Sequence, residues 1–268
     1  MPRNHDAVVV GGGPAGASAA VFLGRAGLDV LVCDRGRASL DRCAHLENYL
    51  GFPGGVSVST FRDLTRRHLE ETGCAYADDH VSSITRVDGD LLVEREEGDP
   101  VRTDRVLATT KYGAEYLHAL DDGDLFRGAD RRHVAADDDG RTAVEGVYAA
   151  GPLVGTTDQA IVAAGDGADV ATTLVEDWLV DERDFWRAIA VQYWDWVRYD
   201  TERTDDRREH IESWVRDSVP DDENVSEERI ERVTAFVVEH DRSQFVDDEE
   251  RTDREEHGRE QLRDVLNR

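Results

Sequence analysis

Residues 6–36 read DAVVVGGGPAGASAAVFLGRAGLDVLVCDRG, and this stretch decides the fold. Its opening valines, Val8 to Val10, are a short apolar run of the kind buried on both faces of a parallel sheet. Gly11, Gly13 and Gly16 follow at the spacing G-x-G-x-x-G. Gly11 suits a tight turn, Gly13 lets the backbone approach a pyrophosphate, and Gly16 allows close helix–strand packing. The pattern predicts a strand over 6–10, a helix over 14–26 and a second strand over 28–33. A pyrophosphate would then sit at the helix N-terminus, where free N–H groups and the dipole favour anions. Asp34 closes the second strand, placed to accept hydrogen bonds from a ribose 2′-OH and to repel a 2′-phosphate. The unit therefore reads as a dinucleotide-binding βαβ element. NAD and FAD both remain open on these residues alone, and NADP is disfavoured.

Composition narrows the function classes. The 268 residues carry 59 Asp and Glu against 32 Lys and Arg, a formal net charge of −27. Lys111 is the one lysine in the chain. Such a surface excludes non-specific nucleic-acid binding. An acidic, lysine-poor surface suits a halophilic cytoplasm, where salt screens like-charge repulsion. No apolar run approaches the roughly 18 residues of a membrane span. The N-terminus enters the nucleotide strand within a few residues, so a soluble, cytoplasmic protein without a signal peptide is expected. Cys33, Cys43 and Cys74 form neither a C-x-x-C pair nor metal spacing, which predicts free thiols and no metal site.

The rest of the chain divides by pattern. A polar loop with turn signals at Phe52-Pro53 and Gly54-Gly55 leads to a helix near 60–72, capped by Ser57 or Ser59, with Phe61, Leu64 and Leu69 facing inward. The segments HVSSITRV, DLLVERE and VRTDRVLAT, with an Asp88-Gly89 turn, predict a small antiparallel meander before a return strand at 105–109. Residues 114–130 read as a polar connection, followed by a hairpin-like turn and a strand at 146–150. TDQAIVAAGDGADVATTLVEDWLV reads as one long small-residue helix. From residue 181 the composition shifts to 28 Asp and Glu against 15 Arg. Helices are expected around DFWRAIAVQYWDWVRY, whose aromatic side chains would form a helical core, and around RREHIESWVRDSV. A third would start at Ser226, with Ile230, Val233 and Val237 on one face, and a fourth would cover 249–267.

Four stretches resemble the thioredoxin reductase branch of the FAD-dependent pyridine nucleotide-disulfide oxidoreductases. They are VVVGGGPAGASAAVFLGRAGLDVLV, LENYLGFPGGVS with its E-N-x-x-G-x-P pattern, DRVLATT, and TAVEGVYAAGPLVGTTDQAIVAAGDGADVA. Together they cover most of residues 5–177. The resemblance implies FAD, with Gly11, Gly13, Ala15 and Gly16 at the pyrophosphate and Asp34 at the adenosine ribose. It also implies Asn48 beside the cofactor, Val81 at the adenine, Gly151 near the ribityl-phosphate, and Gln159 and Ala160 opening a helix toward the flavin pyrimidine. Pro14, Arg35 and Thr109 fall in the same cofactor-binding segments.

The departures from the family are informative. Only about 30 residues separate Gly113 from Gly146, whereas a further nucleotide-binding domain needs at least about 50. The family's redox Cys-x-x-C is absent. Thr110 stands where the family has Gly, Pro152 where it has the ribityl-binding Asp, and Asp158 where it has Arg. Cys43 and His45 fall in the loop that approaches the isoalloxazine in the family. They are candidates for a thiolate and a general base, or else a small buried thiol and a solvated or capping histidine. The fold expected is α/β: a three-layer Rossmann-like FAD domain over 1–180, with a parallel sheet and a small meander, and an acidic helical extension over 181–268. The expected function is that of an FAD-binding oxidoreductase, not a thioredoxin reductase, served by a substrate or separate carrier and possible as a homodimer. The alternative is a non-catalytic nucleotide-binding or interaction module.

Overall fold

A computed structural model describes residues 3–36, 38–128, 132–202, 204, 206–221 and 224–267. The chain divides into two compact units, Met1–Leu174 and Val175–Arg268.

The first unit is built on a seven-stranded sheet whose hydrogen-bonded order is β3 (Ala75–Ala77), β2 (Val30–Cys33), β1 (Arg3–Val10), β6 (Val101–Ala108), β5 (Asp90–Arg95), β4 (Val81–Val87), with β9 (Val147–Ala149) also paired to β6. Strand β1 (Arg3–Val10) ends at the glycine turn, α1 (Pro14–Arg25) follows it, and β2 (Val30–Cys33) returns parallel to β1, pairing Ala7 with Val30 and Val10 with Cys33. Ala7, Val8 and Val9 are wholly buried, which accounts for an apolar run with no polar alternation. α1 packs closely because its inward face is Ala15, Gly16, Ala17, Ala19 and Ala20. α2 (Val58–Glu71) starts where the Ser57 side chain accepts the Thr60 N–H at 3.1 Å, so Ser57 is the cap. Phe61 and Leu69 are buried, whereas Leu64 is only partly so.

A strand unforeseen in the sequence, β3 (Ala75–Ala77), pairs parallel with β2 through Leu31–Ala75 and Cys33–Ala77. The meander forms as expected, β4 (Val81–Val87) and β5 (Asp90–Arg95) joined at Asp88-Gly89, both with positive φ. The return strand is not a separate element. β6 (Val101–Ala108) is one strand with two neighbourhoods: Val101–Thr103 pair antiparallel with Leu91–Val93, while Val106–Ala108 pair parallel with β9. β1 runs parallel beside it throughout. Residues 114–128 are not merely a polar connection. Glu115–Leu120 make a 3₁₀ turn that buries Tyr116 and Leu117, and Leu125 is also buried. Ala129 and Asp130 of that stretch lie outside the described residues. The apolar positions win because they complete the core formed by Val8, Val10, Ile84, Leu91 and Val106 on one sheet face. β7 (Phe126–Arg127) and β8 (His133–Val134) make a short ribbon. β9 (Val147–Ala149) then leads through a 3₁₀ turn to α3 (Ala160–Glu182).

The second unit is mostly helical. The stretch 184–199 is not the aromatic helix its composition suggested. Only α4 (Arg187–Ala190) is helical, and the chain continues through turns to β10 (Arg198–Tyr199). Trp186 is 1% exposed and donates to the Ser218 carbonyl at 2.8 Å, whereas Trp196 is 60% exposed. α5 (Arg207–Asp217), α6 (Glu227–Ser243), β11 (Phe245–Val246) and α7 (Asp248–Leu266) follow. Ser226 caps α6, and Ile230, Val233 and Val237 are its buried face.

Candidate dinucleotide site

Three features shape the glycine turn. Gly11 has φ of 114°, a conformation that L side chains rarely adopt. A Cβ on Gly16 would lie 1.9 Å from the Gly11 carbonyl oxygen, so this residue seats α1 under the turn. A Cβ on Gly12 would lie 2.7 Å from Asp34, which is why the middle residue of the turn must also be glycine. That third requirement is invisible in the G-x-G-x-x-G spacing. Gly13, by contrast, would meet nothing within 4 Å. It is the N-cap of α1, makes no side-chain cap, and Pro14 takes the first helical position. The first N–H groups of α1 are therefore left to an external anion. Thr109 fixes the turn from below, its hydroxyl donating to the Gly11 carbonyl at 2.9 Å or that of Val10 at 3.0 Å.

Asp34 is 6% exposed. It accepts the Tyr76 hydroxyl at 2.8 Å and the Gly36 N–H at 3.2 Å, and Arg62 lies 3.7 Å away. Tyr76 was missed in the sequence because it belongs to the short strand β3, 42 residues from Asp34. Burial, with the Asp34 carboxylate beside it, pushes the Tyr76 phenol well above its ordinary range. The phenol therefore remains a proton donor that holds Asp34 in place. An ionised carboxylate has about four lone-pair sites, so Asp34 can still accept from a ribose.

These elements open on a cavity of about 480 Å³, within the range of cofactor pockets. Gly11, Gly13, Pro14, Ala15, Asp34, Arg35, Val81 and Thr109 line it, as do Asn48, Gln159, Ala160, Cys43 and His45. Gly16 and Gly151 do not. Gly16 lies beneath the turn, and Gly151, with φ of 77°, would place a Cβ 3.0 Å from that of Ala15. Asn48 donates to the Gln159 side chain at 2.7 Å, tying the 46–56 loop to the start of α3. His45 Nδ1 lies 3.6 Å from Glu47, and its ring rests against Gly55. Cys43 is exposed, whereas Cys33 is buried and its thiol is pushed up to about 12 by desolvation. Lys111 also lines the cavity, 2.6 Å from Asp158. The hydrogen bond that the ammonium donates to that carboxylate holds its pKa above the usual lysine range.

The cavity fits a dinucleotide: an uncapped helix start behind an unobstructed Gly13, a fixed carboxylate beside it, and a second helix start at Ala160. Among the described residues no cluster of three His, Cys, Asp or Glu could hold a metal, and no helix is long and apolar enough to cross a membrane.

Residues 5–58 match the family model described as pyridine nucleotide-disulphide oxidoreductase. Thioredoxin reductase 1 of Saccharomyces cerevisiae is 26% identical over 125 residues, 43% of this chain and 39% of that protein. The thioredoxin reductase of Aquifex aeolicus is 34% identical over 74 residues, 27% of this chain and 23% of that one. The chain thus spans well under half the length of these relatives. In three dimensions it is similar to a thioredoxin reductase from Gloeobacter violaceus, with TM-score 0.57 and 17% identity over 74% of this chain and 100% of that one. The thioredoxin reductase of T. acidophilum aligns with TM-score 0.56 and 19% identity, covering 66% of this chain and 99% of that one.

Proposed function

We propose that the chain is an FAD-binding oxidoreductase of the thioredoxin reductase-like pyridine nucleotide-disulphide type, the group its sequence and fold resemble. Its electrons would come from a substrate or a separate carrier. One observation carries the reading: the glycine turn, the Tyr76-held Asp34 and the start of α3 line a single cavity large enough for a cofactor.

FAD, when bound, supplies the two-electron chemistry. The residues of the chain bind and orient it. The N–H groups at the start of α1 take the pyrophosphate. Asp34 takes the ribose hydroxyls, held in register by its donors. Val81 lines the cavity, is 2% exposed, and would meet the adenine through its backbone. Asn48 and Gln159 fix each other, and Gln159 and Ala160 bring the N-terminus of α3 to the cavity, a placement that favours negative charge on the cofactor ring. Residues 109–146 are too few for a second nucleotide-binding domain, which supports an external electron source. The changes at Thr110, Pro152 and Asp158 favour the second reading, a non-catalytic module that kept the site.

Purified protein is expected to carry or take up FAD, seen as flavin absorbance in the visible. Asp34→Ala should weaken binding by about tenfold or more, as for a charge-assisted hydrogen bond. Photoreduced protein should be reoxidised by candidate acceptors faster than free flavin is. Bound flavin with no such acceleration would leave the binding module, and no flavin uptake at all would overturn both forms.

A further inference from the structure

The chain's one lysine stands in the wall of the cofactor cavity. In a protein with net charge −27, a lone ammonium placed there calls for a physical account. Lys111 follows the end of β6, and Asp158 precedes α3; the ammonium and the carboxylate meet at 2.6 Å across 47 residues of sequence. The lysine side chain is 23% exposed and the aspartate 51%. Tyr112 lies against the ammonium, 5.1 Å from its ring centre. Asp158 directly precedes Gln159, whose amide is already taken by Asn48, so the pair sits on a braced segment. The carboxylate is the more exposed partner and the ammonium the one nearer the interior.

We propose that Lys111, oriented by Asp158, is a positioning residue for the cofactor: a fixed cation that sets how readily the flavin accepts electrons. This inference rests on the FAD reading above. Two electrons and one proton taken up from a reductant leave the flavin ring with one negative charge. A cation in the same cavity stabilises that charge, and the paired carboxylate offsets part of the effect. The two partners therefore act with opposite sign.

The single lysine makes the test direct, because an amine-acylating reagent has only Lys111 and the N-terminal amine to modify, and peptide masses separate them. In protein stripped of nucleotide, Asp158→Asn should raise the acylation rate of Lys111 by about threefold or more, since the ammonium loses the carboxylate that holds its proton. FAD should protect Lys111 from acylation and ADP should protect it much less. Titration of the flavoprotein with dithionite against a reference dye should show the flavin harder to reduce in Lys111→Met and easier in Asp158→Asn. Each shift should be about threefold or more in the oxidised–reduced equilibrium.

An unchanged acylation rate in Asp158→Asn would overturn the pairing without any reference to flavin. Flavin that binds but neither protects Lys111 nor changes potential in the variants would overturn this inference and leave the FAD reading standing. Failure of the wild-type protein to bind FAD would overturn both.

Discussion

The two units hold together by different means. The first is a sheet whose central strands carry wholly buried apolar runs, Ala7–Val9 and Val106–Ala108, and its tightest contacts are made where a side chain is missing: Gly16 under the turn, Gly12 against Asp34, and Gly167 against the Ala15 carbonyl. The second is a set of helices with few apolar anchors each. α5 buries Ile211 and Val215, and α7 buries only Val265. It also carries many arginine–carboxylate contacts. Arg207 grips the buried Asp241 through both its Nε and its Nη2, and α7 carries exposed pairs such as Arg254–Glu250 and Arg259–Glu255. The difference teaches that a steric requirement in a packed sheet is absolute, whereas charge pairing in a polar unit is graded by burial. Exposed pairs contribute little and buried ones a good deal.

The largest effect that would sharpen this contrast is expected at Gly16. Gly16→Val drives a branched side chain into the Gly11 carbonyl and the Thr109 hydroxyl. The cost should be about 3 kcal/mol or more, the upper range for overpacking a core, read as a lowered thermal midpoint or insoluble protein. Gly13→Ala is the control, since its Cβ meets nothing within 4 Å. That variant should fold as the wild type does and lose FAD uptake instead. A Gly16→Val protein as stable as wild type would break the steric account.

In the second unit the greatest effect should come from Asp241→Ala, which removes the carboxylate that Arg207 and Arg198 face at a site only 4% exposed. Allowing for the partial exposure of the arginines, the loss should be about 2–3 kcal/mol in denaturant unfolding. Arg254→Gln on the exposed face of α7 should leave the same transition unmoved. Equal effects from the two substitutions would remove the role assigned to burial.

The smallest effect is expected at Ser226, whose side chain accepts the Arg229 N–H at 3.3 Å. Ser226→Ala should cost about 1 kcal/mol, and Ser226→Asp should restore most of it. Circular dichroism during urea unfolding is the measurement, and a cost near zero would mean that α6 is held by its apolar face alone.

Much of the first unit is legible because its signals are local. A valine run, a glycine spacing and an acid at the next strand's end specify strand, turn, helix and strand within 31 residues. Ser226 and the Ile230–Val233–Val237 stripe give α6 in the same way. The reading fails where composition stands in for periodicity. Residues 184–199 are rich in aromatics, but the chain there makes one short helix, because Trp186 and Trp194 find hydrogen-bond partners at Ser218 and Gln244 rather than a shared helical face. It fails also at 114–128, where polar residues flank a buried Tyr116 and Leu117, and at β3, three residues too short to show alternation.

The sequence by itself determined the dinucleotide turn, its acidic partner, the meander and the capped helices, since each depends on residues within a few positions of one another. Only the tertiary structure decided which side chains meet across the cavity: Tyr76 with Asp34, Asn48 with Gln159, and Lys111 with Asp158. Those pairs are separated by 42, 111 and 47 residues. Local propensity carries no information about them, because each exists only once the packing of the sheet and the start of α3 have brought its two segments within hydrogen-bond reach.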